Sequence, residues 1–233
     1  MQFILDIIAI ALAYVIGSIP FGLLIVKLKT GKDIREVESG RTGGTNALRA
    51  AGFWAGLATA LLDILKGASS VWLARWLAPD HFLIHMLAPL AAILGHNYSI
   101  FLAERDENGK FRLRGGAGGA PSVGGAMGLF LPSIAIILPL GFITFFTVGI
   151  ASVTTMAVAL YAIIVFAYYA SQGILPWAYV WYGVGAEILL MWALRPNLKK
   201  LVEGNERVVG ITLHGWLKSR KQKKLEEAGK SSE

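Results

Sequence analysis

Residues 121–194 form an almost unbroken apolar run that holds a single charged residue, Glu187. Soluble folds do not carry stretches of that length, whereas a membrane-crossing helix asks for roughly 20 mostly apolar residues in a row. Residues 3–28, 52–77 and 82–102 meet the same requirement. Composition agrees: 16% of residues are charged and 55% hydrophobic, against about 25% and about 45–50% in ordinary soluble domains. A soluble fold is therefore excluded. The chain has no cysteine, which removes disulfide scaffolds, thiol catalysis and cysteine zinc sites. Its four histidines give a dedicated metal cage little support. The first apolar stretch lacks a basic flank and is too long for a secretory signal peptide.

Charge sets the number of crossings. Six of the 22 Lys and Arg residues lie within 27–49, four within 105–114 and ten within 195–230; Lys66 and Arg75 stand apart. The positive-inside rule puts these three clusters on the cytoplasmic side. Between the second and third cluster the number of crossings must be even, and two would leave helices that are too long, so four are expected. Breaks are expected around 132–139, 149–155 and 171–176, with short fourth and fifth helices. The expected fold class is an all-α integral membrane protein of about seven transmembrane helices, N-terminus outside and C-terminus cytoplasmic. Residues 1–210 read as the transmembrane domain. Residues 211–233 read as a basic, partly amphipathic tail held at an anionic lipid surface, disordered past Ala228.

Polar residues gather in three of the cytoplasmic segments. The first reads D-I-R-E-V-E-S-G-R-T-G-G-T-N-A-L-R from Asp33. Its glycines let backbone N–H groups turn toward an anion, and its arginines add charge and forked donors. Thr45 or Asn46 is placed to cap a helix starting at Ala47. The second opens with Gly95-His96-Asn97 and closes with R-G-G-A-G-G from Arg114, running into a helix, as phosphate sites at helix N-termini do. Asn108-Gly109 between them predicts a small β-hairpin over residues 104–113. The third reads R-P-N-L-K-K-L-V-E-G-N-E-R from Arg195. Each has a plain alternative: a positive-inside loop, glycine helix packing, a hydrogen-bonded structural histidine. Asp63 and Lys66, three apart on one helix face, are candidates for an ion pair in the membrane.

These segments resemble the motifs of the bacterial acyl-phosphate:glycerol-3-phosphate acyltransferases, small seven-helix membrane enzymes. That family's first motif is similar to D-I-R-x-x-G-S-G-N-x-G-A-T-N-x-x-R, its second to G-H-x-F-P-x-F-L followed by G-G-K-G, and its third to N-I-x-R-L-x-x-G-x-E. The Ser-Ile-Pro-Phe-Gly from Ser18 and the D-I-L-K-G from Asp63 also look like family sequence. The resemblance implies acyl transfer from acyl phosphate to glycerol 3-phosphate, giving lysophosphatidic acid and phosphate, the opening step of phospholipid synthesis. It implies Ser39, Arg49, His96 and Asn197 as the catalytic set. It implies Arg41, Thr45, Asn46, Arg112, Arg114, Gly115, Gly116, Gly118, Lys200 and Glu206 as residues that bind substrate or shape its site. No cofactor, metal or nucleic acid is expected; the partners are the two substrates, membrane lipid and an enzyme that makes acyl phosphate. The bacterial inner membrane, with the site facing the cytoplasm, is the implied location.

Two departures bear on activity. The lysine of the family's glycine loop is Ala117 here, and the asparagine of the first motif is Arg41. Arg41, Lys110, Arg112 or Arg114 can replace the lost charge, with Arg114 or Arg112 the first choice because alternate residues of a strand share a face. The rival readings are a relative with altered donor or no activity that binds lipid or phosphate, and an organophosphate transporter.

Overall fold

The computed structural model describes residues 1–105 and 107–230, with side chains up to Lys221. It is a helical bundle with one two-stranded excursion. Among the described residues four helical segments are long and apolar enough to cross a membrane: Gln2–Thr30, Phe53–Leu77, Leu131–Val148 and Ala151–Ser171.

The first of these is not one helix. Helix α1 (Gln2–Ser18) stops before Pro20, and α2 (Phe21–Thr30) resumes after it, because proline has no N–H to continue the ladder. The break leaves the Ile19 carbonyl open to a side chain from elsewhere. Helix α3 (Gly44–Ala51) follows the first glycine loop and precedes α4 (Phe53–Leu77). It begins at Gly44 with Gly43 as its cap, so Thr45 and Asn46 sit inside the first turn and do not cap it.

Helix α5 (Phe82–Asn97) ends earlier than its hydropathy suggests. Residues from Ser99 onward form strand β1 (Ser99–Arg105), paired antiparallel with β2 (Phe111–Arg114) in the register Glu104 opposite Arg112, with an irregularity between Ser99 and Ala103. The hairpin expected around Asn108-Gly109 is thus present and longer on its first strand; Gly109 takes φ +74° at the turn, and Asp106 lies outside the described residues.

Helix α6 (Gly119–Leu129) is short: about 16 Å at 1.5 Å per residue, roughly half the hydrocarbon thickness. A single 3₁₀ turn (Leu131–Ser133) leads to α7 (Ile134–Val148). The expected break at 132–139 is confined to its start, since Pro139 lies inside α7. Helix α8 (Ala151–Ser171) begins after Gly149 in the left-handed conformation, and α9 (Ala178–Ala193) follows a turn that ends at Trp177. Helix α10 (Arg195–Val202) starts with Pro196 in its first turn, and α11 (Leu213–Lys230) forms the basic tail. The tail past Ala228 is helical to Lys230, and 231–233 lie outside the described residues.

Close approach of α4 and α6 holds the centre. A Cβ on Gly124 would strike the Ile64 carbonyl, and one on Gly67 would strike that of Pro121. Small residues let two backbones meet where lipid offers no hydrophobic drive. Val71, Ile93, Phe166, Tyr182 and Leu190 fill the remaining core, and the Tyr182 hydroxyl donates to the Ser122 carbonyl at 2.7 Å. Large apolar side chains such as Phe3, Trp76 and Trp181 point outward, as a lipid-facing surface requires.

Candidate active site

The loop before α3 is shaped by its own side chains. Asp33 caps a single 3₁₀ turn (Ile34–Glu36) and binds the Arg35 guanidinium at 2.6 Å; the hydrogen bond from Arg35 holds the Asp33 carboxyl below the usual carboxylate range. Arg35 also reaches Glu104 of β1 at 3.7 Å, tying the loop to the hairpin. Inside the loop the buried Asn46 amide donates to the carbonyls of Ile34, Val37 and Arg41 at 3.1, 2.9 and 2.8 Å. Asn46 therefore shapes the loop from behind. The turn it supports places Ser39 at the exposed rim.

Arg41 runs the other way, into the bundle. Its guanidinium donates to the Gly116 carbonyl at 3.0 Å, the Ala193 carbonyl at 2.6 Å and Asn197 Oδ1 at 3.0 Å. Asn197 in turn donates to Glu206 Oε1 at 2.9 Å. Burial pushes the Arg41 pKa down from its ordinary value, yet a guanidinium stays charged. One arginine thus joins the three polar segments that the sequence sets apart.

The loop before α6 is held by backbone. Gly116 N–H donates to the His96 carbonyl at 2.8 Å, and Thr42 N–H to the Gly115 carbonyl at 3.3 Å. A Cβ on Gly116 would overlap His96 Nε2, so the imidazole edge lies directly over the loop. Gly118 takes φ +87° to start α6. The N-termini of α3 and α6 both open on one cavity of about 720 Å³. Helix N-termini carry free N–H groups and partial positive charge, a ready anion site.

Six cations line that cavity, Arg41, Arg49, Arg112, Arg114, Lys200 and Arg207, against three carboxylates, Glu38, Asp63 and Glu206. Arg114 is paired with Glu104 within the hairpin and Arg207 with Glu38 at 2.7 Å. Among the described residues Arg49, Arg112 and Lys200 have no such partner. Burial lowers the Arg49 pKa, with Glu38 opposing and Arg207 reinforcing the shift. Part of the wall is apolar: Phe53, Leu57, Phe142, Phe145 and Phe146. Cationic and apolar walls in one cavity suit a ligand with an anionic head and a hydrocarbon chain. Among the described residues no three His, Asp or Glu side chains group as a metal cage.

Every residue that the resemblance implies for catalysis or binding lines this cavity: Ser39, Arg41, Thr45, Asn46, Arg49, His96, Arg112, Arg114, Gly115, Gly116, Gly118, Asn197, Lys200 and Glu206; Lys66 and Lys110 do not. Of the replacements for the loop lysine, Arg41 touches the glycine loop, while Arg114 is committed to Glu104. Sequence reasoning missed the Glu38–Arg207 clasp, 169 residues apart, and the aromatic wall from α7, which looks like any membrane helix. It anticipated the ion pair of Lys66 with Asp63, 2.9 Å in the structure, but not that Lys66 Nζ also lies 2.8 Å from His96 Nδ1.

A sequence model of the glycerol-3-phosphate acyltransferase family matches residues 7–204. The chain is 35% identical over 226 residues to a glycerol-3-phosphate acyltransferase of Desulfovibrio desulfuricans, covering 93% of this chain and 87% of that one. It is 38% identical over 201 residues to that of Thermus thermophilus, covering 85% and 92%. The crystal structure of PlsY (YgiH), an integral membrane glycerol 3-phosphate acyltransferase in its glycerol 3-phosphate form, superposes with a TM-score of 0.74. It is 27% identical, with 88% of this chain and 96% of that one covered. The lysophosphatidic acid form gives a TM-score of 0.71 at 25% identity. With its apolar helices, its polar cavity and these relatives, the chain is a multi-pass membrane protein of the glycerol-3-phosphate acyltransferase family.

Proposed function

We propose that the protein transfers an acyl group from acyl phosphate to glycerol 3-phosphate, yielding lysophosphatidic acid and inorganic phosphate at the start of phospholipid synthesis. The observation that carries this reading is the cavity itself: two helix N-termini, a histidine edge and six cations face an aromatic and aliphatic wall. Family membership supplies the acceptor, since the relatives are named for glycerol 3-phosphate. Reaction chemistry supports acyl phosphate as the donor. Acyl phosphate is a mixed anhydride, already activated, so it needs positioning and charge neutralisation more than a strong nucleophile.

In this reading a glycerol hydroxyl oxygen attacks the acyl carbonyl carbon and forms the ester bond. The bond from that carbon to the bridging oxygen breaks, and its electron pair leaves with the phosphate. The hydroxyl proton passes to a phosphate oxygen of the departing group, so no protein base is required. Arg49, Arg112 and Lys200 hold the two phosphates against their mutual repulsion. Ser39, His96 and Asn197 complete the donor set around the reacting centre, with Arg41 standing in for the missing loop lysine. Thr45 and the Gly115, Gly116 and Gly118 backbone shape the anion sites, and Asn46 and Glu206 brace them. The apolar wall takes the acyl chain.

The chain crosses the bacterial inner membrane seven times, with its N-terminus outside and the cavity facing the cytoplasm; 1–210 is the membrane domain and 211–233 an interfacial tail. The tail reading is supported by exposed Leu213, Trp216 and Leu217 on α11 beside Lys218, Arg220 and Lys221. Because the chain lacks cysteine, single cysteines report topology cleanly. Those at Lys32, Asn108 and Lys221 should label from the cytoplasmic side alone and one at Asp80 from outside alone; opposite results at Asn108 and Lys221 would refute the seven-crossing count. Activity is tested with purified protein and acyl phosphate. Phosphate release should depend on added glycerol 3-phosphate and proceed without acyl-CoA. Turnover with acyl-CoA alone would refute the donor assignment.

A further inference from the structure

Among the buried groups that the proposed reaction leaves unused is Lys66. It sits on α4 with its side chain 2% exposed, beside Asp63 at 1%. An ammonium has three hydrogens and accepts nothing. Lys66 Nζ has three acceptors within reach: Asp63 Oδ1 at 2.9 Å, the Ile19 carbonyl at 3.0 Å and His96 Nδ1 at 2.8 Å. The Ile19 carbonyl is available because Pro20 breaks the helix there. Asp63 supplies the counter-charge that keeps a cation tolerable inside a bundle.

That arrangement dictates the state of His96. A ring nitrogen that accepts from an ammonium carries no hydrogen, and the hydrogen bond made by one nitrogen sets the role of the other. The other nitrogen, Nε2, lies over Gly116 where a Cβ would have to be, at the mouth of α6 and on the cavity wall. We propose that Lys66 is a positioning residue that fixes His96 as the Nε2–H tautomer, so that the imidazole presents a donor to a phosphate oxygen above the glycine loop. The opposite tautomer would aim an acceptor at the anion and set two donors face to face at Lys66. The role in turnover rests on the acyl-transfer reading; the tautomer itself rests on this geometry alone.

Histidine-selective 15N labelling and NMR in detergent read the tautomer, with the His96 signals identified by their loss in His96→Gln. Wild-type His96 should be a single Nε2–H tautomer. Lys66→Met leaves Asp63 buried without its cation, so the paired variant Asp63→Asn with Lys66→Met, which removes both charges, is measured beside it. Both should lose the single tautomer and lower kcat/KM by about tenfold to hundredfold, the rate equivalent of one charge-assisted hydrogen bond. Lys66→Arg, also a pure donor, should keep the tautomer and more of the activity than Lys66→Met. A wild-type Nδ1–H tautomer overturns the proposal. So does a paired variant that keeps the Nε2–H tautomer or regains wild-type turnover, for then Lys66 serves only to neutralise Asp63. If the wild-type protein transfers no acyl group from acyl phosphate, the proposed function fails while the NMR result still decides this inference.

Discussion

The loop before α3 is held by side chains, the loop before α6 by main chain, and the two therefore differ in what they tolerate. In the first, one Asn46 amide gathers three carbonyls and Asp33 pins Arg35. The backbone in between is free to vary, and it has: Glu38 adopts φ +47° at a position where the resembled motif has glycine, and Arg41 replaces an asparagine. In the second, the Gly116 amide is bonded to the His96 carbonyl and the imidazole fills the space a side chain would need. Substitution there has no room, except at Ala117, the position that has lost its lysine. The adaptable loop also reaches the rigid one, bringing the Arg41 guanidinium to the Gly116 carbonyl.

The largest expected effect comes from forcing a side chain into the rigid loop. Gly116→Ala must displace His96, and overpacking of about 3 kcal/mol corresponds to a loss of at least about a hundredfold in kcat/KM. A Gly116→Ala protein with near wild-type kinetics would show that the two loops are not different in kind. Next comes the bridge between them. Arg41→Ala strips a charged donor from two carbonyls and Asn197, and activity should fall about tenfold to hundredfold. Arg114→Ala, already neutralised by Glu104, should cost less than about fivefold. Ala117→Lys should recover part of the Arg41→Ala loss; if it rescues Arg114→Ala instead, the hairpin supplies the charge.

Smaller effects probe the side-chain scaffold by stability. Asn46→Ala removes the amide that gathers the Ile34, Val37 and Arg41 carbonyls, at a cost of about 2 kcal/mol, or roughly 4–8 °C in melting temperature for a chain of this size. The smallest effect is expected at Glu38. Glu38→Gly relieves a left-handed residue, about 1 kcal/mol, and gives up an exposed ion pair with Arg207 worth about as much or less. Melting should move by no more than about 4 °C and activity by less than about fivefold. A large loss would make the Glu38–Arg207 clasp part of the site.

What the sequence showed and what it hid divide along the same line of local against distant causes. The breaks at Gly149 and at 171–176 were legible because glycine and proline act on their own backbone. So was the hairpin turn, since Asn108-Gly109 favours it without help. The end of α5 was not, because Ser99 to Leu102 is apolar enough to extend a helix; the strand there depends on Ser99 and residues 103–105 pairing with Phe111–Arg114 across the turn. Pro20 breaks its helix while Pro89 and Pro139 lie within theirs, so a proline alone does not mark where a helix ends. At the site, three ordered motifs pointed to residues that the fold brings around one cavity. The wiring among them, Arg41 to Asn197 over 156 residues and Lys66 to His96 over 30, is a property of packing that no local pattern encodes.

Acyl phosphate with 18O in the bridging position tests the central claim, that this cavity breaks the bond between acyl carbon and bridging oxygen. Turnover with glycerol 3-phosphate should deliver all of the label to inorganic phosphate and none to lysophosphatidic acid. Label retained on a fatty acid, or phosphate released at the same rate without glycerol 3-phosphate, would contradict acyl transfer at this site.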